Sequence, residues 1–352
     1  MRLTILLILG LIINFLYVLV GTWHYPLRSV DVYSIWLFKA KAFFLESGLP
    51  VKTLANPLYS YSHPYYPPLL PYTLYLIYKV FGGIAEQQVL LIYPFIYVII
   101  IGLVYYSLRL LSISKLKSLL FTFIYSHFSV LLAQSGRQHA GNADIFITML
   151  LWILFTFFLR TRKFWLFPVV ISVASQIKVE GIFLIGLLAF LPVSNYRKII
   201  LAGLSSLLFI FWQILRIKLR FPADLPFTLY SLPEMSVRLM QIIKYTVLEM
   251  LNFRNWYIFW PLFILLLLFV SHRYPKHYPW FWHKSLWLIV PIYIAIYLFS
   301  SYAPKASIPS SADRIMFQLS PLFYPLFCLK LNQLVNYPPP RPHPVSSSAK
   351  SR

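Results

Sequence analysis

The chain has 352 residues, 59% of them hydrophobic and only 11% charged, with a mean hydropathy of +0.71. A soluble domain carries about 25% charged residues, so lipid must solvate most of this surface. The net charge of +22 would suggest nucleic acid in a soluble protein. Here the basic residues sit in short loops between apolar runs, where they act as a topology signal, and no RNA- or DNA-reading motif is present. The one cysteine, Cys328, lies in an apolar run, which excludes a disulfide or a thiolate metal site within the chain.

Apolar runs fall at 4–20, 67–82, 88–108, 118–134, 144–159, 164–177, 181–194, 199–216, 254–271, 285–300 and 314–331. The first follows Arg2 and leads into Gly-Thr-Trp-His-Tyr-Pro with no small-x-small cleavage site, so it reads as a retained span. The run at 67–82 opens on Pro67-Pro68, contains Pro71 and Lys79 and is rich in tyrosine. That composition suits a helix lying in the membrane interface. The remaining runs predict an all-α polytopic membrane protein of about ten transmembrane helices, with interfacial helices in the first outer loop. Both termini are then cytoplasmic and the protein sits in the plasma membrane. Residues 1–336 form one transmembrane domain with long outer loops at 21–87 and 217–253, and the Pro- and Ser-rich stretch 337–352 is a disordered cytoplasmic tail.

This threading sorts the charges. Its cytoplasmic segments, including Arg160–Lys163, Tyr196–Lys198 and the stretch His272 to Lys284, hold lysines and arginines but no acid. All nine carboxylates fall on the other side: Asp31, Glu46, Glu86, Asp144, Glu180, Asp224, Glu234, Glu249 and Asp313. Acids contribute little to orientation, so chemistry on the outer face is one reason for their placement. Glu46, Glu86, Glu234 and Glu249 read as water-exposed, and Asp224 and Asp313 stay unassigned.

Five patches could carry that chemistry. Asp31 precedes Trp36, Lys39 and Lys41 in an interfacial helix that stops at Gly48; it either caps that helix or serves catalysis, while the lysines either snorkel or bind a ligand. His63-Pro64-Tyr65-Tyr66-Pro67 offers a loop histidine that is a metal ligand or base, or neither. Arg137-Gln-His139-Ala-Gly-Asn142-Ala-Asp144 puts an acid at the outer start of a span, a helix cap or a functional group. Lys178-Val-Glu180-Gly181 is a charged turn between two short apolar runs, either a tight turn whose charges neutralise each other or a functional pair, since taking both to membrane depth is costly. Asp313-Arg314 opens the last run, where an arginine binds phosphate or anchors the helix. No P-loop, G-x-G-x-x-G, H-E-x-x-H or G-x-S-x-G is present. A substrate delivered through the membrane fits this better than a nucleotide.

The series Asp31-x4-Trp36-x2-Lys39-x-Lys41, His63-Pro-x-Tyr-Pro67, Gly141-x-Ala-Asp144, Lys178-x-Glu-Gly181 and Asp313-Arg314-x6-Pro321 resembles the GT-C superfamily of membrane glycosyltransferases. That superfamily includes protein O-mannosyltransferases and the lipid A aminoarabinose transferase. The resemblance implies an active site on the non-cytoplasmic face and a polyprenyl-phosphate sugar as donor. It also implies an essential acid at Asp31, a second carboxylate at Asp144, and donor-phosphate binding by Lys178. Relatives often carry an acid where this chain has Tyr65, and larger members add an outer domain, so acceptor recognition is expected from loops 21–87 and 217–253 or from another protein. The expected reaction is inverting transfer to a lipid, glycan or protein acceptor. Asp31 and Asp144 are then catalytic, and Lys178, Glu180, Arg314, Arg137, Lys39, Lys41, His63 and Tyr66 bind donor phosphate or substrate. Should a divalent cation, Mg2+ or Mn2+, be required, Asp31, Asp144 and His63 are the candidate ligands. The alternative is a transporter or flippase for a lipid-linked or anionic substrate, although no internal repeat supports one.

Overall fold

The computed structural model of the chain describes residues 2–24, 29–137, 139–222, 228–270 and 278–335, and the side chain of Arg137 lies outside that set. The fold is all-α: 81% is helical, and no strand occurs among the described residues. The main helices are α1 (Arg2–His24), α2 (Leu37–Leu45), α3 (Leu69–Val80), α4 (Ile92–Leu110), α5 (Lys115–Ser126), α6 (Asp144–Thr161) and α7 (Leu166–Ile177). They continue with α8 (Asn195–Lys218), α9 (Leu232–Met250), α10 (Phe259–Phe269), α11 (Leu286–Phe299), α12 (Pro304–Gln318) and α13 (Ser320–Val335). Asp224, the tail 337–352 and residues 272–277 of the basic stretch from His272 fall outside the described residues.

Among the described residues, five helical stretches are long and apolar enough to cross a membrane: 2–24, 86–110, 144–161, 195–218 and 280–299. A sixth is α5 with residues 129–136, bent by 65° at the break. The remaining apolar runs make shorter helices. At about 1.5 Å per residue, the 12 residues of α7 cover roughly 18 Å of a hydrocarbon core about 30 Å thick. The 12-residue α3 has the same reach, and it lies along α2 through rings such as Phe43 and Tyr75, 5.9 Å apart.

Inside the bundle, polar side chains and small residues substitute for the hydrophobic drive that lipid cannot supply. Ser107 on α4 meets Thr156 on α6 at 2.6 Å. Ser172 on α7 donates to the Ser205 carbonyl of α8 at 3.0 Å. At the α5 break, Asn14 of α1 donates to Ser126 at 2.9 Å, supplying a partner where the helical ladder stops. The centre is aromatic: Tyr125, Phe128, Phe259 and Tyr324 pack together, and Trp152 donates to the Tyr125 hydroxyl at 3.1 Å.

Close approach requires glycine at several positions, and two of these lie in the charged segments. Gly141 has φ +108°, and a Cβ there would meet Val32 at 2.3 Å, so the loop before α6 lies directly on the turn after Asp31. At Gly181 a Cβ would meet the Ala174 backbone at 2.3 Å, which holds the Lys178–Gly181 turn against the end of α7. Gly181→Ala should therefore lower stability by about 1–3 kcal/mol, the usual cost of overpacking. Gly203→Ala, inside α8 with nothing within 4 Å, should not lower it and should raise it by up to about 1 kcal/mol. Thermal unfolding of the two purified variants checks the pair.

Candidate functional site

Four stretches far apart in sequence converge on one chain of charge. Asp31 sits at the start of a π-helical turn, Val32–Trp36, of the kind that often marks functional positions. It makes no capping hydrogen bond, which sets aside the helix-cap reading; its carboxylate instead accepts from Arg314 Nη1 at 2.7 Å. The same guanidinium donates through Nε to Asp144 Oδ2 at 2.6 Å. The other oxygen of Asp144 accepts from Lys178 Nζ at 3.2 Å and from Gln318 Nε2. Lys178 also lies 3.5 Å from Glu180 Oε1, and Tyr66 donates its hydroxyl to that oxygen at 3.4 Å.

The order of charges is acid, base, acid, base, acid: Asp31, Arg314, Asp144, Lys178, Glu180. Arg314 and Gln318 stand one turn apart on α12 and so share a face. Asp144 is the first residue of α6, where the orphan amides of a helix N-terminus favour an anion. The two carboxylates that sequence reasoning paired are not alike. Asp144 is 0% exposed and takes three side-chain donors, whereas the Asp31 side chain is 38% exposed and takes one.

This chain lines a cavity of about 480 Å3 whose wall includes Asp31, Trp36, Tyr66, His139, Lys178 and Glu180. Trp36 and Tyr66 stack at 5.5 Å. Burial, with the Arg314 charge beside it, keeps His139 below the usual imidazole value; burial and the nearby Glu180 carboxylate push the Tyr66 phenol well up. A second cavity of about 230 Å3 is almost wholly apolar, lined by α9, α10, α11, α12 and α13. Tyr293, Tyr297 and Ile315 line both, so the charged chamber adjoins a greasy one.

Other expected site residues lie elsewhere. Lys41 pairs with Glu86, both near 40% exposed, outside the cavity. Lys39 is 1% exposed and donates to the carbonyls of His63 at 2.5 Å and Tyr66 at 3.4 Å. It does not line the cavity, and burial lowers its pKa well below the usual lysine value. Instead of snorkelling or binding ligand, it pins a loop. His63 holds the left-handed conformation (φ 49°) at that loop, with its ring against Tyr65 and Tyr66. Trp212 holds the Tyr65 carbonyl at 2.9 Å, so the loop is fixed from two sides and delivers Tyr66 to the cavity. Arg137's side chain falls outside the described residues. Glu249 is not in water: it is buried and accepts from Asn255, Trp256 and Asn252, closing the turn between α9 and α10.

The donor set does not fit a divalent cation. Arg314 already bridges Asp31 and Asp144, His63 stands outside the cavity, and no group of three or more ligating side chains occurs among the described residues. Sequence reasoning missed Gln318, Tyr293 and Tyr297; the i, i+4 spacing of Gln318 from Arg314 was the available signal for the first. No family model, curated protein or solved structure matches this chain.

Removing one member of a buried ion pair costs about 3–5 kcal/mol. Asp144→Asn should therefore destabilise the protein strongly, while Asp31→Asn, at a side chain 38% exposed, should cost much less in thermal unfolding. Asp313 supplies a pH dependence. Burial, with Glu249 nearby, lifts its carboxyl to about 6, so the fold favours the protonated acid. That contribution is full below about pH 4 and is lost as pH rises through about 6. Asp313→Asn should raise the unfolding temperature above that value and leave it unchanged near pH 4.

Proposed function

We propose that the protein is an inverting glycosyltransferase that moves a sugar from a polyprenyl-phosphate donor to a lipid, glycan or protein acceptor on the non-cytoplasmic face of the membrane. One observation carries this reading: a chamber lined by Asp31, Glu180, Lys178 and Arg314, with Asp144 buried behind the two cations, adjoins an apolar chamber along Tyr293, Tyr297 and Ile315. Together they suit an amphiphile with a long hydrocarbon tail and a polar head. The ordered motifs that resemble the GT-C superfamily supply the reaction class.

On this reading Asp31 is the base. Its carboxylate is the most exposed of the charge chain that lines the chamber and has an oxygen to spare, whereas Asp144 has both oxygens engaged. Asp31 accepts the proton of the acceptor hydroxyl as that oxygen attacks the anomeric carbon. The bond from that carbon to the phosphate oxygen breaks, and its electron pair leaves with the polyprenyl phosphate. One displacement inverts the anomeric centre, and the proton on Asp31 passes to water. Asp144 is the fixed anion that orients Arg314 and Lys178, a preorganised field against which the leaving charge develops.

The same reading takes in the topology: about ten spans, residues 67–82 lying in the interface, both termini in the cytoplasm, and the plasma membrane as the site. In it α7 and the helical stretch 179–189 are two short spans that bring Lys178 and Glu180 to the outer face.

Asp31→Asn should reduce sugar transfer by on the order of a thousandfold, with expression and membrane insertion intact. Assay of the purified variant in detergent with polyprenyl-phosphate sugars checks this, and full activity would remove the assignment. A carrier would instead move the lipid with no bond broken.

A further inference from the structure

We propose that the hydroxyls of Ser310, Ser311 and Tyr297 form the seat of a lipid phosphate, at the neck between the two chambers; this rests on the polyprenyl-phosphate reading above. An amphiphile whose phosphate joins a hydrocarbon chain to a polar head must place that phosphate where an apolar cavity meets a polar one. Tyr293, Tyr297 and Ile315 are common to both walls and so define that boundary. Ser310 and Ser311 line the charged chamber beside it, and Ser311 Oγ lies 2.5 Å from the Tyr297 hydroxyl.

The cations alone do not answer for an anion here. Lys178 is shared between Asp144 and Glu180, and Arg314 between Asp31 and Asp144, so three carboxylates already outnumber them. Uncharged hydroxyl donors can hold a phosphate oxygen without competing for those ion pairs. Ser310 and Ser311 stand four and three residues before Arg314 on α12, the spacing that puts all three on one side of the helix. A phosphate at the hydroxyls is thereby next to the guanidinium without displacing either aspartate.

Both serines now donate to the same acceptor, the Ser307 carbonyl, at 2.9 and 2.6 Å. Such back-bonding to the preceding turn is weak, and rotation about χ1 redirects each proton while the helix stays in place. Tyr293 is not part of the seat, because its hydroxyl donates to Gln318 Oε1 at 3.4 Å and serves the Asp144 cluster.

The test is equilibrium binding to the full-length protein in nanodiscs of three probes: a long-chain polyprenyl phosphate, the matching polyprenol and inorganic phosphate. Wild type should bind the phosphate lipid at least about tenfold more tightly than the alcohol, a gap of about 1.4 kcal/mol. The Ser310→Ala/Ser311→Ala double variant and Tyr297→Phe should each erase most of that gap, with polyprenol affinity and unfolding temperature unchanged. A gap that survives in both variants overturns the assignment and leaves the polyprenyl-phosphate reading standing. An equal loss of both lipids would place the hydroxyls in folding and also overturn it. If inorganic phosphate bound as tightly as the lipid, the seat would be a site for free anions. A wild type indifferent to the phosphate group would overturn both the seat and the reading beneath it.

Discussion

A guanidinium held between two carboxylates is the constraint on which the rest of this molecule depends. Arg314 reaches Asp31 at 2.7 Å and Asp144 at 2.6 Å, joining the segment after α1 to the start of α6 and both to α12. Charges this deep are tolerated only when each finds a partner of opposite sign with good hydrogen-bond geometry, and the planar fork of arginine can serve two carboxylates at once. Lys178 then extends the chain to Glu180. Closing the fold and assembling the chamber are therefore one event.

The consequence is asymmetry. Asp144, sealed and saturated, fixes the geometry; Asp31, at the cavity edge with one donor, keeps an oxygen for a ligand. The support behind them follows the same logic. A buried Lys39 spends its donors on the backbone carbonyls of His63 and Tyr66, and the strained turn there holds Tyr66 against Trp36 and Glu180. The apolar chamber next door is walled by α9, whose inward face carries Ile242, Thr246 and Met250. Its inner end is tied by Glu249 and its outer part by Arg238, which donates to the carbonyls of Tyr297, Leu298, Ser300 and Tyr302.

Much of the site was legible in the sequence because charge is rare here. In an apolar chain each acid or base near the hydrocarbon stands out, and Asp31, Asp144, Lys178, Glu180 and Arg314 were all singled out before any geometry was known. Tyr66, too, lines the same chamber. What the sequence did not resolve was reach. Lys39 and Lys41 are two residues apart on one helix, yet one is sealed against a loop and the other pairs with Glu86 at the surface. Nothing in their spacing distinguishes a buried carbonyl clamp from a ligand. Gln318, Ser311 and Tyr297 carry no formal charge, and of the three only Gln318 offers a signal, its i, i+4 spacing from Arg314. Span counting met a similar limit: hydropathy marks apolar runs, but α7, α10 and the stretch 179–189 are too short to be identified as crossings by length alone.

The proposed reaction breaks, in this chamber, a bond between a sugar and a lipid phosphate. The direct measurement is mass spectrometry of lipid extracts after purified protein is incubated with polyprenyl-phosphate sugars and acceptor lipid. Free polyprenyl phosphate should be released in step with an acceptor product of inverted anomeric configuration. Donor that crosses the bilayer intact, with no polyprenyl phosphate formed from any sugar offered, would contradict the proposed reaction.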